Sequence, residues 1–156
     1  MNTYEMEEGL KFAVENPNFD FGVHLTVTSE WKYHKWGGIL DKAKTPSLHN
    51  SFNNFYWNKR KFVKNADLNE IKMELQAQIS LAKSMGLKPS HIDSHEGALF
   101  FDPNIFKIYI DLAIENDLLA FVPIEASMHF NGELDKPNNA VITVSYTHLR
   151  AHETVM

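Results

Sequence analysis

The chain contains no cysteine, and this absence excludes two kinds of site at once. Without thiols there can be neither a disulfide framework nor a zinc site built on cysteine thiolates. No apolar run approaches the ~20 residues that a membrane-spanning helix needs. The acidic N-terminus also lacks the basic and apolar regions of a signal peptide. We therefore expect a soluble, cytoplasmic protein with no membrane partner.

Positive charge is scarce as well. The 156 residues include 15 Lys and Arg against 20 Asp and Glu, which gives a net charge of -5. This balance, with no basic stripe to offset it, argues against a nucleic-acid partner. With 44% hydrophobic residues, the length corresponds to one domain around one core.

Among the residues that are present, the most informative stretch is 89–97, in which His91, Asp93 and His95 occupy every second position. Successive side chains of an extended segment point to opposite faces, so these three would share one face. Imidazole and carboxylate groups at the end of an apolar strand are typical of metal sites in α/β enzymes. His91 lies deeper in the strand, and we assign it a structural role.

A further histidine lies in residues 19–28, where apolar and polar residues alternate strictly. This alternation predicts a strand. His24 is on its polar face, with Gly22 and Thr26 as neighbours. A hydrogen bond to a backbone carbonyl would be the favoured interpretation of a lone histidine, but the cluster at 89–97 shifts the balance towards a metal ligand.

Helices and strands alternate along the rest of the chain. Helical periodicity is predicted over residues 3–15, 67–85 and 103–116, and Asp67 begins the second of these helices as its N-cap. A buried strand follows at 118–124. This order predicts an α/β fold with parallel strands and helical crossovers, either an open sheet or a β/α barrel.

Residues 29–66 are rich in aromatic side chains and show little periodicity. A loop of this length is usually functional, and its aromatic content argues against disorder. Aromatic faces suit sugar rings, but packing over the end of the fold explains them equally well. Glu30, Trp31 and Trp36 lie just beyond the His24 strand and are candidate substrate-binding residues.

Other residues in loops are assigned to the surface. The basic run Lys59-Arg60-Lys61 is expected to be a solvated turn. Three histidines without a partner at ligand spacing are expected to be solvated, namely His34, His49 and His129.

The end of the chain resembles the translation of a transposase sequencing adapter. We expect residues 1–143 to be a partial enzyme domain and residues 144–156 to be non-native read-through. His148 and His152 have the i, i+4 spacing of a helical zinc pair, but they belong to this tail.

The motifs GVHLT at 22–26 and PSHIDSH at 89–95 together resemble the YdjC-like carbohydrate deacetylases. The resemblance covers about residues 4–125 in the same order. It includes the segments SEW at 29–31 and WG at 36–37.

This resemblance implies a partial (β/α) barrel of the polysaccharide-deacetylase type. It implies removal of acetyl groups from N-acetylated sugars or oligosaccharides with one divalent metal ion, Mg²⁺ or Zn²⁺. His24 and His95 match the family's metal-binding histidines, and Asp93 would orient a ligand or hold the strand end. The family's third ligand and catalytic base come from an Asp-Asp pair on an earlier strand. That pair is absent, so no catalytic residue is retained and the chain resembles a fragment truncated at both ends.

We therefore expect weak metal binding and little or no deacetylase activity from this polypeptide. Imidazole ligands favour Zn²⁺ over Mg²⁺ on grounds of softness. Two alternatives stay open, a phosphoesterase-type metal-dependent hydrolase on the same barrel and a non-catalytic carbohydrate-binding remnant. The expected partner is an acetylated sugar, and a homodimer is left open.

Overall fold

The computed structural model describes residues 3–122 of the chain, with side chains from residue 8 onwards. The predictions for the tail at 144–156, and for the histidines at 129, 148 and 152, lie outside the described residues. No helix within residues 3–122 is long and apolar enough to cross a membrane. The helices and strands are α1 (Thr3–Glu15), β1 (Gly22–Leu25), α2 (Lys59–Asn65), α3 (Leu68–Ser84), β2 (His91–Ser94), α4 (Pro103–Glu115) and β3 (Leu119–Ala120), with short 3₁₀ turns at Pro46–Leu48 and His95–Phe100.

The three strands form one parallel sheet in the order β1-β2-β3. Helix α3 connects β1 to β2, and α4 connects β2 to β3, so the predicted α/β class with parallel strands and helical crossovers is confirmed. The register places His24 opposite Asp93 and Leu25 opposite Ser94. Parallel strands end at the same edge of a sheet, so the residues that follow β1 and β2 are brought together there.

Helix α3 begins and ends as its sequence predicts. The side chain of Asp67 accepts hydrogen bonds from the backbone N–H groups of Asn69 (2.9 Å) and Glu70 (3.2 Å). Gly86 follows the helix with φ of 94°, a conformation that glycine adopts without a steric penalty. The side chains that face the core are fully buried at Ile71, Leu75 and Ile79.

Helix α4 is fixed to the sheet by a buried hydroxyl. The N-cap Asp102 and Pro103 begin the helix as predicted. The Tyr109 hydroxyl then lies 2.8 Å from the carbonyl oxygen of Ile92 on β2 and 2.9 Å from that of Phe121 just after β3. Burial, together with the nearby charge of Asp93, raises the pKa of Tyr109, so the hydroxyl stays protonated and can donate.

Two predicted strands are shorter than expected. Within the alternating segment 19–28 the strand runs only from Gly22 to Leu25, Thr28 makes an isolated parallel bridge to Tyr56, and Phe19 is exposed. Beyond Leu25, the backbone of Thr26 bonds a side chain, because the Gln78 amide accepts from its N–H (3.0 Å) and donates to its carbonyl (2.8 Å). Likewise, of the strand predicted at 118–124, only Leu119 and Ala120 form β3 within the described residues. Positions 123 and 124 lie outside the described residues.

The segment 29–66 contains a helix that was not predicted. Lys59-Arg60-Lys61 forms the first turn of α2 rather than a loop, because the side chain of Asn58 accepts from the Lys61 N–H at 2.8 Å and caps the helix. The buried ring of Phe62 then anchors α2 to the core.

His49 is buried, so its predicted place on the surface is wrong. Its Nδ1 atom lies 2.8 Å from the Thr45 carbonyl oxygen, and its Nε2 atom accepts the Gly38 N–H at 3.2 Å. The ring also stacks on Phe55 with centroids 5.3 Å apart. Both ring nitrogens therefore hold the loop together, which explains why a histidine can be buried there.

Candidate functional site

The site begins with His24, which projects from β1 beside Asp93 of β2. The Nδ1 atom of His24 lies 2.8 Å from Oδ2 of Asp93, as the strand register requires. The His24 side chain is 55% exposed and that of Asp93 37% exposed, so this pair is open to solvent.

His95 lies immediately after β2, where the chain turns sharply. Glu96 and Gly97 both have positive φ, of 52° and 66°, and direct the following residues into the core. The turn leaves His95 at the strand end, with its Nδ1 atom 3.1 Å from Nε2 of His24. The structure thus brings together the two histidines that the sequence singled out.

Glu30 joins the same group from the loop after β1. Its Oε2 atom lies 2.9 Å from Nε2 of His95, and the two side chains are 24% and 19% exposed. Burial alone would raise the pKa of the Glu30 carboxyl, but the hydrogen bond from His95 and the charge of that ring lower it below its ordinary value. Glu30 is therefore held as a carboxylate.

A second carboxylate lies close to this pair. The candidate ligand atoms of Glu30, His95 and Glu96 all lie within 4.8 Å of one another, a cluster that could hold a metal ion. Glu96 itself is exposed, its carboxylate accepts from the Thr28 hydroxyl at 3.3 Å, and its backbone carbonyl accepts from Lys59.

The Trp36 ring packs edge-on against the His95 ring, with the two ring centroids 5.9 Å apart. Within residues 8–122, the Nε1 atom of Trp36 is a buried side-chain donor that has no hydrogen-bond partner. An N–H group left in this state costs free energy unless a ligand supplies an acceptor. Trp31 is largely exposed in the same loop.

The loop that carries Trp36 is anchored by a buried carboxylate. Glu74 of α3 is completely buried, and its oxygens accept from the backbone N–H groups of Ile39 (2.7 Å) and Leu40 (2.9 Å). Gln78, one turn further along α3, donates to Glu74 at 2.9 Å and also bonds the backbone of Thr26. A single face of α3 therefore fixes both the His24 strand end and the Trp36 loop.

An apolar cleft of about 260 Å³ lies beside His24, along the edge of β1 that has no neighbouring strand in the described part of the chain. Residues of α1, β1 and α3, Gln78 among them, line it together with Trp36. Its walls are mainly apolar, with Leu10, Val23 and Leu81 among them.

His91 is held apart from the ligand pair. Its Nδ1 atom lies 2.9 Å from the Ser90 hydroxyl, and its ring covers the backbone of Gly22 so closely that a Cβ atom there would collide with it. These contacts are consistent with the structural role expected for it.

Comparison with known proteins then identifies the family. The family model for YdjC-like proteins matches residues 1–154. The chain belongs to the YdjC-like family.

Curated relatives of this YdjC-like chain are named carbohydrate deacetylases. The protein of Thermus thermophilus is 32% identical over 104 residues, which are 67% of this chain and 38% of the relative. "Carbohydrate deacetylase 1" of Listeria innocua is 29% identical over 113 residues, which are 72% of this chain and 42% of the relative. The matched region is thus about two fifths of each relative's length.

A solved structure shares the fold of the YdjC-like chain. It comes from Enterococcus faecalis V583 and is described as a candidate cellobiose-phosphate cleavage protein. The likeness has a TM-score of 0.66 at 26% identity and covers 83% of this chain and 49% of the other.

Three residues of this YdjC-like site were given no role from the sequence, namely Glu74, Gln78 and Glu96. One signal was available for Glu74, because a charged residue three positions after Ile71 falls on the core-facing stripe of a predicted helix. The partners of Glu74 are backbone N–H groups in a distant loop, and no sequence pattern specifies them.

Proposed function

We propose that this chain carries half of a metal-dependent site that hydrolyses N-acetyl groups of sugars or oligosaccharides. The observation that supports this proposal most directly is the His24–His95 pair, whose facing nitrogens are 3.1 Å apart at the end of a parallel sheet. The names of the curated relatives point to the same chemistry. Each histidine also contacts a carboxylate, as metal-binding histidines usually do.

The donor set fits a divalent ion. Two imidazole nitrogens bound to one zinc ion at 2.0–2.1 Å lie about 2.9–3.4 Å apart for bond angles between 90° and 109°. The separation of 3.1 Å between Nε2 of His24 and Nδ1 of His95 falls in this range. Imidazole ligands favour Zn²⁺, and Mg²⁺ is the alternative ion.

Each residue would then have a defined part in amide hydrolysis. When bound, the metal would polarise the acetyl carbonyl and lower the pKa of a water molecule. His24 and His95 would hold the ion, and the Asp93 carboxylate would keep the His24 ring in its orientation. The open side of His24 would leave room for substrate.

Trp36 and Trp31 are the proposed contacts for the sugar. The Trp36 ring, with its centroid 5.9 Å from that of His95, would pack against the sugar beside the candidate ligands. The exposed ring of Trp31 offers a flat apolar face to the C–H surface of the sugar.

We infer that the 156-residue chain has little or no turnover. His24 and His95 supply two ligands, and the Asp-Asp pair that the family resemblance requires for a third ligand and a general base is absent from the sequence. A catalytic base removed from such a site typically costs 10²–10⁴ in rate.

The family's (β/α) barrel is the fold that we propose around this sheet. Within residues 3–122, strand β1 has one edge without a neighbouring strand, flanked by an apolar cleft of about 260 Å³, and further parallel strands would cover it. The likeness to a solved chain about twice the matched length supports this proposal.

Acetate release from N-acetylated chitobiose tests the reaction, and tryptophan fluorescence during a sugar titration tests binding. We expect near-background acetate and sugar binding that weakens with chelator and in His24→Ala. Rapid acetate release that disappears in His95→Ala would refute the proposed inactivity. Sugar binding that chelator and His24→Ala leave unchanged would instead indicate a non-catalytic carbohydrate-binding protein.

A second candidate function is the cleavage of a sugar phosphate, for which phosphoester hydrolysis is a reaction that a metal site supports. The solved relative is described by the cleavage of a sugar phosphate. Release of phosphate from cellobiose phosphate, with no acetate from chitobiose, would favour this activity over deacetylation.

A further inference from the structure

Four side chains form a continuous row across the sheet end, in the order Asp93, His24, His95 and Glu30. The three contacts are 2.8 Å from Asp93 Oδ2 to His24 Nδ1, 3.1 Å between the two rings, and 2.9 Å from His95 Nε2 to Glu30 Oε2. The two outer members are carboxylates and the two inner ones are imidazoles. This symmetry constrains which nitrogen carries a hydrogen on each ring.

An ionised carboxylate can only accept hydrogen bonds, and a neutral imidazole has one donor and one acceptor nitrogen. Asp93 therefore requires the hydrogen of His24 on Nδ1, and Glu30 requires the hydrogen of His95 on Nε2. The nitrogens that remain, Nε2 of His24 and Nδ1 of His95, then face each other with lone pairs at 3.1 Å. A divalent cation bound to both nitrogens, to one side of the line that joins them, would offset the repulsion of these lone pairs.

We propose that Glu30 is a positioning residue, whose carboxylate holds the Nε2–H tautomer of His95 so that Nδ1 joins Nε2 of His24 at a divalent metal. This inference rests on the metal site of the proposed function and assigns the ligand nitrogens within it. It also gives Glu30 a role that is separate from binding sugar.

A competing arrangement uses Glu30, His95 and Glu96 as the ligands. In that case Nε2 of His95 binds the metal, Nδ1 carries the hydrogen and donates to His24, and Glu30 is a direct ligand. The two arrangements therefore predict opposite tautomers for His95.

The exposure of the four side chains favours the first arrangement. The Glu30–His95 contact is the shielded end of the row, with side chains 24% and 19% exposed, whereas His24 is 55% exposed. A metal with open positions for water and substrate needs the accessible end. Glu96 is exposed and contacts Thr28, at a longer distance of 3.3 Å.

Nitrogen-15 NMR of the histidine rings in the metal-free protein tests the tautomers directly. We expect neutral His95 as the Nε2–H tautomer and His24 as the Nδ1–H tautomer. Detection of His95 as the Nδ1–H tautomer would overturn the proposal. In Glu30→Ala we expect His95 to lose its single tautomer while His24 retains its own.

Zinc titration by calorimetry tests the same assignment without any substrate. Loss of a carboxylate that orients a metal-binding histidine typically weakens metal affinity 10–100-fold, and we expect this loss for Glu30→Ala. Glu30→Gln should recover part of the affinity, because the amide oxygen still accepts from His95. A direct ligand would show no such rescue, since a neutral amide is a poor substitute for a carboxylate ligand.

Two matched variants complete the design, with circular dichroism to confirm folding. Glu96→Gln should bind zinc within about twofold of the unchanged chain, and His24→Ala should lose more affinity than Glu30→Ala. Equal losses in Glu96→Gln and Glu30→Ala, with none in His24→Ala, would establish the competing cluster. These readouts are independent of acetate release, so the assignment of the nitrogens and the proposed reaction can fail separately.

Discussion

The carboxylate of Glu74 and the amide of Gln78, one turn apart on α3, hydrogen-bond each other at 2.9 Å inside the protein. Through this pair α3 reaches two segments that are far apart in sequence, the backbone of Thr26 and the loop at Ile39 and Leu40. The end of the strand that carries His24 and the loop that carries Trp36 are therefore both held by helix α3.

Glu74→Ala should destabilise the protein strongly. The change removes a buried acceptor and leaves the N–H groups of Ile39 and Leu40 without partners, a loss on the order of 3 kcal/mol. Urea unfolding measures it. Glu115→Ala is the matched control, because Glu115 pairs with Lys72 at 2.6 Å on the exposed surface and should contribute less than about 1 kcal/mol. Equal losses in both variants would contradict the role of Glu74.

Two glycines should respond in opposite directions to alanine. A Cβ atom at Gly38 would lie 2.5 Å from Oε2 of Glu74, so Gly38→Ala should cost about 1–3 kcal/mol through overpacking. A Cβ atom at Gly9, in α1, meets nothing within 4 Å, so Gly9→Ala should stabilise the helix by about 0.5–1 kcal/mol. Thermal unfolding of the two variants compares them, and a Gly38→Ala protein as stable as the parent would refute the close contact.

Tyr109→Phe should lower the free energy of unfolding by about 1 kcal/mol, since it removes one buried hydrogen-bonding hydroxyl without changing the packed ring. Tyr33→Phe, at a side chain that is 90% exposed, serves as the control and should have no measurable effect. Hydrogen exchange at the end of β2 would locate the change, and unaltered protection there would argue against the tie between α4 and the sheet.

The lowered pKa of Glu30 predicts an acid-dependent contribution to stability. A carboxyl whose pKa is lower in the folded than in the unfolded chain stabilises the fold above its unfolded pKa, and this contribution is lost as the pH falls through the folded value. Glu30→Gln should therefore be less stable than the parent at pH 6, by up to about 1 kcal/mol. The two unfolding curves should converge as the pH falls through the lowered pKa of Glu30, and a constant difference at all pH values would contradict the cause given for the shift.

Elements with complete local signals were predicted well from the sequence. Asp67, the regular apolar positions and Gly86 together specify α3, because each acts through nearby backbone and one core face. The alternation of apolar residues likewise identified β1. Its length was overestimated because pairing depends on a neighbouring strand, and at Thr26 the Gln78 amide takes that place.

His24, His95 and Asp93 were singled out from the sequence as candidate site residues, whereas Glu30 was assigned to substrate binding and Glu96 was given no role. His24 and His95 lie at strand ends, and parallel strands end together, so their proximity follows from the element order. The contact between Glu30 and His95 depends on the path of a loop that has no periodic pattern. The same holds for His49, whose burial no sequence pattern indicated.

The turn after β2 has a consequence for the balance between stability and shape. Glu96 holds a left-handed backbone conformation with φ of 52°, which costs a residue with a Cβ atom about 1–2 kcal/mol. Glycine or asparagine at position 96 would relieve this backbone strain. The conformation nevertheless leaves His95 facing His24 at the end of the sheet. The fold therefore gives up part of its stability to hold a strained backbone at the residue that follows its candidate ligand His95.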